Sequence, residues 1–213
     1  MQFVLYVAAL GTIVLVWLSP RARYVNRIIS SILSFFWLWM AIVCHFLFFS
    51  AINRAAWLFG AIFILTAVQF AWYGILEDKL QFRIYGSVPS WFGALLISFA
   101  LFGYPAIGHV LGHRYPANPT FGLPCPTTIF TIGVLLFAAQ PVPRAVFAVP
   151  ILWSVLGSIV AFKLSVPQDF GLLVAGLVAV PALFLRPRRS VPNSARLALP
   201  EDECSEKTHS DAR

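Results

Sequence analysis

Residues 28–49 read IISSILSFFWLWMAIVCHFLFF, and this stretch decides the fold. Its 22 residues include no Asp, Glu, Lys or Arg. A helix needs roughly 20 residues to cross the hydrocarbon core of a bilayer, which is about 30 Å thick. In hydrocarbon a spanning segment must also satisfy its own backbone hydrogen bonds, as a helix does. The stretch therefore predicts a transmembrane helix.

Similar uncharged runs recur along the chain, of which 60% is hydrophobic and only 11% charged. One soluble core has no use for so much apolar surface. The first run lacks the basic start and small-residue cleavage site of a signal peptide, and we interpret it as a span. Residues 1–186 are thus predicted to form an all-α polytopic membrane bundle of seven transmembrane helices, and the polar residues 187–213 a disordered cytoplasmic tail. The predicted spans lie near 3–18, 28–49, 55–76, 91–112, 125–140, 145–162 and 170–185.

Basic residues alternate between the connections, and this alternation predicts the orientation. Lys and Arg next to a span are retained on the cytoplasmic side. The N-terminus is therefore predicted outside and the C-terminus in the cytoplasm. The same alternation explains the net charge of +7 without nucleic acid as a partner. One set of connections holds ten basic residues, Arg21, Arg23, Arg27, Lys79, Arg83, Arg144, Arg186, Arg188, Arg189 and Arg196, and the other holds three, Arg54, Arg114 and Lys163.

Histidines and cysteines converge on the predicted outer leaflet. His109 and His113 lie four residues apart, which places both imidazoles on one face if the helix continues through them. Cys125 stands in a Pro-Cys-Pro turn, and His45 lies at the outer end of the second span. Such groups suit a transition metal or haem iron. The candidate metal or ligand-binding residues are His45, His109, His113 and Cys125, with Cys44, Arg114 and Tyr115 in support.

Each of these residues also has a structural interpretation. A span-end histidine such as His45 commonly bonds a backbone carbonyl, and Cys44 suits the role of a small packing residue. Cys125 is either a packed turn residue or a reactive thiol, and Arg114 either positions an anion or anchors to headgroups. The short fifth span predicts that the Pro-Cys-Pro turn begins below the membrane surface, where irregular backbone must be buried in protein or line a wet cavity.

Acidic residues are absent from the predicted spans, and this absence weighs against proton-coupled transport. Ion-coupled pumps usually carry a membrane-embedded charge, whereas Asp169 is predicted in an outer connection. The spans also offer no paired carboxylates and no Ser/His/Asp arrangement for hydrolysis.

The stretches Gly112–Pro116, Pro119–Thr128 and His45–Asn53 resemble a bacterial family of small polytopic membrane proteins without assigned function. Some members of that family are loosely labelled transporter permeases, and the resemblance covers most of residues 1–185. It implies a multi-pass protein of the bacterial inner (cytoplasmic) membrane, in contact with the lipid bilayer and with membrane protein partners or further copies of itself.

Three functions remain open from the sequence. The first is binding or transport of a small ligand or transition metal at the outer His/Cys site. The second is a structural or accessory role in a membrane complex. The third is a membrane redox enzyme that uses Cys125.

Overall fold

A computed structural model of the chain describes residues 1–18, 23–84, 86–112, 120–164 and 166–184. The described part is all-helical, and five of its helices are long and apolar enough to cross a membrane. They span Tyr24–Ala51, Ala56–Leu76, Val88–Val110, Arg144–Lys163 and Pro167–Phe184. Two further apolar helices are shorter, Gln2–Leu18 and Pro124–Leu135. The prediction of a membrane-type helical bundle is confirmed at this level, whereas seven crossings and the orientation remain predictions.

The described residues form eight α-helices. Two of these join end to end, so the helices make up seven continuous rods. Three rods contain π-helical turns, and such widened turns are frequent at functional sites. The helices are α1 (Gln2–Leu18), α2 (Arg23–Trp39, continued by π-helical Met40–Phe48 and 3₁₀ Phe49–Ala51), α3 (Ala56–Ala71, continued by π-helical Trp72–Leu76), α4 (Val88–Ser98), α5 (Tyr104–Val110), α6 (Pro124–Leu135), α7 (Arg144–Leu164) and α8 (Phe170–Phe184).

The joint between α4 and α5 is a π-helical turn over Phe99–Gly103. It ends two residues before Pro105, which lies in the first turn of α5. A proline has no N–H to donate, and its ring clashes with the carbonyl four residues earlier. The widened turn lets the rod continue past this proline. It also sets the direction in which the next residue, Tyr104, points.

Helix α6 is the centre of the bundle. Every one of its residues is buried except the half-buried Cys125. It packs against α4, α7 and α8, and its Phe130 and Thr131 contact α2 through Phe36 and Trp37. Twelve residues rise only about 18 Å, so α6 is far shorter than the bilayer core. Other segments must therefore cover both of its ends.

Two glycines bring α4 and α6 into direct backbone contact. A Cβ built on Gly93 would lie 2.7 Å from the Gly133 carbonyl oxygen, and one built on Gly133 would lie 2.9 Å from that of Gly93. Small residues at such positions let membrane helices approach closely. The contact fixes the position of the central helix.

Gly133→Ala is expected to destabilise the protein by about 1–3 kcal/mol, the range typical of overpacking, because the new methyl group meets rigid backbone. Thermal unfolding in detergent measures the effect. Gly11→Ala is the matched control, since a Cβ at Gly11 meets nothing within 4 Å. Equal unfolding temperatures for both variants would contradict the close packing of α4 on α6.

The bundle has two chemically different ends. The loop end carries the N-terminus, the end of α5 and the starts of α6 and α8, and there Gln2 Nε2 donates to Thr120 Oγ1 at 2.7 Å. The basic end carries the starts of α2, α4 and α7 and the segment 77–84. There the Arg27 guanidinium lies 3.8 Å from Asp78, and the Lys79 ammonium lies 2.7 Å from Glu77.

Residues 80–84 fold across the basic end of α6. Leu80 and Phe82 are buried, and Phe82 forms an isolated antiparallel bridge with Ala138. The Arg83 N–H donates to the Phe137 carbonyl at 2.8 Å, and the Ala139 N–H donates to the Gln81 carbonyl at 2.6 Å. Sequence reasoning treated this segment as an ordinary loop, because its pairing partner lies more than 50 residues away.

Asn26 anchors the same segment to α2. Its Oδ1 accepts the Phe82 N–H at 3.0 Å, and the side chain is buried. An unpaired buried N–H costs about 1–3 kcal/mol. The bond therefore secures the covering of α6.

Asn26→Ala is expected to lower the free energy of unfolding by about 1–3 kcal/mol, because it leaves the Phe82 N–H without its acceptor. Chemical unfolding in mild detergent gives the value. Gln140→Ala serves as the control, because the bond from Gln140 to Gln81 is exposed and longer, at 3.3 Å. A loss no greater than that of the control would mean that Asn26 does not hold the segment.

Candidate functional site

The predicted site residues are distributed over different depths of the loop end. His45 and Cys44 are buried on the π-helical continuation of α2, and Cys125 begins α6. His109 is exposed at the end of α5. The remaining candidates, His113, Arg114 and Tyr115, lie outside the described residues, as do the predicted tail and Cys204. The structure thus brings Cys44, His45 and Cys125 to one region and leaves His109 at the surface.

Residues 120–124 descend into the bundle before α6 begins. The Phe121 ring is buried, with centroids 5.3 Å from Phe36, 5.2 Å from Phe130 and 5.7 Å from Tyr6. Gly122 follows with φ of +101°, a region that favours glycine, and a Cβ there would collide with Leu5. This aromatic contact and the glycine turn fix the start of α6 inside the bundle.

The Pro-Cys-Pro turn suits a helix that begins at this depth. The first N–H groups of a helix have no partner within the helix. Pro124 and Pro126 have no N–H at all, and the Thr127 N–H bonds the Leu123 carbonyl at 3.2 Å. The two prolines therefore remove backbone donors that hydrocarbon could not satisfy. They also hold Cys125 between them.

A buried carboxylate faces Cys125. The Tyr104 hydroxyl donates to Asp169 Oδ1 at 2.5 Å, and both residues are buried. The Cys125 thiol lies next to this carboxylate and interacts with it electrostatically. Asp169 directly precedes α8, and Gly171 in the first turn of that helix has no room for a Cβ because the Phe99 ring fills the space. Three protonatable side chains from α5, α6 and the start of α8 thus meet.

The charge balance of this cluster is unusual. Asp169 is only 9% exposed, and the ion pairs within the described ranges do not include it. Asp169 lies just before the N-terminus of α8, where the partial positive charge of the helix dipole stabilises a carboxylate by about 0.3–2 kcal/mol. Burying an isolated carboxylate costs far more than that, and such groups usually take up a proton or hold a cation.

His45 lies in an aromatic enclosure next to the cluster. Its ring centroid is 4.5 Å from that of Phe63, 5.4 Å from Trp153 and about 6 Å from Phe49 and Phe59. The side chain is 2% exposed, and within the described chain neither ring nitrogen has a hydrogen-bond partner. The carbonyl bond that a span-end histidine usually makes is therefore not found for His45.

Trp153 connects this enclosure to the cysteine. Its ring packs against His45 and Phe63, and its indole N–H lies close to the Cys125 sulfur without good hydrogen-bond geometry to any described residue. The Thr128 hydroxyl and both side-chain atoms of Gln168 are likewise buried without a partner among the described residues. Buried polar groups are nearly always satisfied, by protein or by ordered water. These atoms mark a polar region within the loop end.

Backbone geometry supports the same location. Cys44 and His45 lie on one π-helical segment, and another ends immediately before Tyr104. The Cys44 thiol donates to the Gly122 carbonyl at 3.6 Å, which ties the first segment to the turn before α6. Widened turns re-aim side chains that a regular helix would point elsewhere.

Metal-ligand geometry is less developed. Within the described ranges, no three His, Cys, Asp or Glu side chains group closely enough to hold one metal ion. Cys125 and Asp169 form a pair, while His45 and His109 lie apart from it. The metal and haem hypotheses remain predictions from the sequence.

A family model matches residues 1–194 of the chain. The chain belongs to DUF6064, a family of unknown function. No curated protein and no solved structure matches it. The predicted membership in a family without assigned function is confirmed for this DUF6064 chain, whereas the membrane location and the loop motif of that family remain predictions.

Sequence reasoning missed Tyr104 and Asp169. From the sequence alone, Tyr104 is interpreted as an ordinary residue that makes an interhelical hydrogen bond. Asp169 is interpreted as a carboxylate in a loop, one residue before the last predicted span. One signal was present, since Pro167-Gln168-Asp169 leads directly into the uncharged run 170–185. An acidic residue at such a boundary is either a helix cap at the surface or an embedded group. Only the pairing with Tyr104 decides between them.

Cys125 is expected to react slowly with a membrane-impermeant maleimide, because its thiol packs against Asp169 and Trp153. In a variant lacking Cys44 and Cys204, we expect labelling on the order of tenfold slower than after unfolding in detergent. Ala51→Cys in the same background is the control, since Ala51 is exposed at the loop end. If Cys125 labelled as fast as that control, the reactive-thiol hypothesis would be favoured over a packed one.

Proposed function

We propose that this DUF6064 chain is a seven-pass protein of the bacterial cytoplasmic membrane that binds an exchangeable proton at Asp169. The N-terminus lies outside, so the loop end faces the exterior. The observation that carries the proposal is the buried Asp169 carboxylate, which accepts the Tyr104 hydroxyl and lies beside the Cys125 thiol. A proton held there serves proton-coupled movement of a small solute, or proton delivery to a membrane partner.

The chemistry of the cluster favours a proton over larger ligands. Ionisable residues inside a membrane are rare and mark ion or proton pathways by default. Asp169, Tyr104 and Cys125 each carry or accept a proton, and a proton needs no cavity between side chains that already touch. The basic residues that would neutralise Asp169 permanently do not pair with it in the described part of the chain.

The route to the site runs from the loop end. Irregular backbone at membrane depth is tolerated where it is buried in protein or lines a water-filled space. Residues 120–123 form such a segment, and a single 3₁₀ turn, Pro167–Asp169, leads into α8 beside it. The side-chain atoms of Gln168 and Thr128 that have no partner among the described residues supply polar groups for water there. A water needs two to four such partners to stay bound.

This proposal reverses one inference from the sequence. The lack of acidic residues in the predicted spans weighed against proton coupling, but Asp169 is buried against a residue six positions inside the end of the α4–α5 rod. Six residues correspond to about 9 Å along a helix. This depth supports a membrane-embedded position of the carboxylate.

Infrared spectroscopy of the reconstituted protein tests the proposal. We expect a carboxylic-acid band that appears as the pH is lowered and disappears as the pH is raised, because the acid form of Asp169 gains and loses one proton. The chain has eight Asp and Glu residues that contribute to such a band, so Asp169→Asn is expected to remove one component of it, the component of the buried acid. Asp78→Asn is the matched control, since Asp78 is ion-paired at the opposite end, and it should leave that component unchanged.

Proton uptake by proteoliposomes provides the functional readout. Under an imposed membrane potential, vesicles with the unmodified chain should acidify faster than those with Asp169→Asn. The alternative is that Asp169 only ties α8 to α5. In that case Asp169→Asn would lower the unfolding temperature, while the unmodified chain would show no pH-dependent band that depends on Asp169.

A further inference from the structure

An apolar groove opens between α1 and α4 at the basic end. Ile13 and Val16 form one wall, and Trp91, Ala94 and Ile97 form the other. Val134 of α6 and Phe137 form its floor, and Ile84 lies at its mouth. Its volume is about 360 Å³, which falls within the range of about 300–1,000 Å³ for small-molecule sites.

The packing of α1 explains why the groove exists. Helix α1 packs mainly against α2, while α4 packs mainly against α6. The space between α1 and α4 therefore leads to the basic end of the central helix. Most of this surface belongs to the apolar helices α1, α4 and α6, and such a surface suits the hydrocarbon region of a bilayer.

The lining offers almost nothing for a polar ligand. Its side chains are hydrocarbon or aromatic apart from two serines, Ser90 and Ser98. The Ser90 hydroxyl is already paired with that of Ser87 at 3.0 Å. Burying a polar group in such a groove without a hydrogen bond costs several kcal/mol on alkane scales, about 4–8. The groove accordingly fits a hydrocarbon chain.

A cation lies at the mouth of the groove. Arg83 immediately precedes Ile84 and its side chain is exposed. Of the other charges at the basic end, Arg27 is paired with Asp78 and Lys79 with Glu77, while the Arg144 guanidinium lies over the Phe184 ring. The hydrogen bond between Lys79 and Glu77 lowers the pKa of Glu77 and raises that of Lys79, so both side chains stay charged near neutral pH. Arg83 has no such partner within the described chain.

We propose that this groove binds one acyl chain of an anionic phospholipid from the leaflet at the basic end, with Arg83 paired to the lipid phosphate. The groove supplies the hydrocarbon site, and the guanidinium supplies the charge complementarity that selects anionic over zwitterionic headgroups. The backbone bond from Arg83 to Phe137 places the main chain of Arg83 next to the groove floor, and its exposed side chain starts from there. The site rests on the membrane location in the proposed function, but it shares no residue with the Asp169 cluster and does not depend on proton binding there.

Native mass spectrometry of the full chain released from mixed-lipid nanodiscs tests the site. The discs contain phosphatidylglycerol and phosphatidylcholine in equal amounts. We expect the unmodified chain to retain one phosphatidylglycerol in preference to phosphatidylcholine. Arg83→Gln should reduce that preference about fivefold, the value of one basic residue near an anionic headgroup. Ala94→Phe should abolish retention of both lipids by filling the groove.

Val155→Phe is the matched control. Val155 lies in a second apolar depression of similar volume between α7 and α8, away from the basic end. This variant should retain phosphatidylglycerol like the unmodified chain. Ala94→Leu is a milder second groove variant, and an unfolding temperature close to that of the unmodified chain shows that each variant is folded.

Three results would overturn the proposal. The first is undiminished phosphatidylglycerol retention when Ala94→Phe or Ala94→Leu is folded. The second is equal loss of lipid in Val155→Phe, which would indicate unspecific annular lipid. The third is a dimer of the unmodified chain that Ala94→Phe converts to monomer, which would make a second copy of the chain the occupant.

Discussion

The bundle depends on one constraint, which is that its central helix is short and has both of its ends inside the bundle. Helix α6 is about 18 Å long, and the backbone groups at a buried helix end need partners from the protein or from bound water. At one end two prolines remove N–H groups, and Phe121 and Gly122 seat the preceding chain in an aromatic cluster. At the other end residues 80–84 pair with residues 137–139. A helix of full spanning length would need neither feature, because water at the membrane surface would hydrogen-bond its ends.

The short central helix also explains where the polar residues gather. Residues 120–123 enter the bundle to reach the start of α6. Residues 166–169 likewise enter the bundle before α8 begins. Asp169 thereby accepts the hydrogen bond of the Tyr104 hydroxyl and lies next to the Cys125 thiol, inside the bundle. The buried cluster is a consequence of shortening one helix while keeping the rods around it long.

The sequence predicts well which segments are helical, but it predicts poorly how deeply each helix lies in the bundle. Uncharged runs are sufficient to predict helical rods, because hydrocarbon leaves a chain few alternatives to a helix. They cannot show which rod is central, since α6 differs from the others mainly by three threonines and flanking prolines. Burial on all sides is a tertiary property, and it appears only when Gly93 and Gly133 are seen in contact.

The candidate site is likewise predicted only in part by the sequence. Cys125, Cys44 and His45 were recognisable as residue types with chemistry, and their proximity followed from the order of the spans. Tyr104 and Asp169 were not recognisable, because their significance lies in a single contact between positions 65 residues apart. His109 shows the converse, since its spacing from His113 suggested a site while its side chain faces outward.

The pairing of residues 80–84 with residues 137–139 also makes the two ends of the central helix unequal. The basic end is covered by a segment held by the hydrogen bonds that Asn26, Phe137 and Gln81 accept. Each of these contributes about 1 kcal/mol, which is small enough for thermal motion to break them one at a time but seldom together. The covering segment is therefore expected to open rarely and as one cooperative unit.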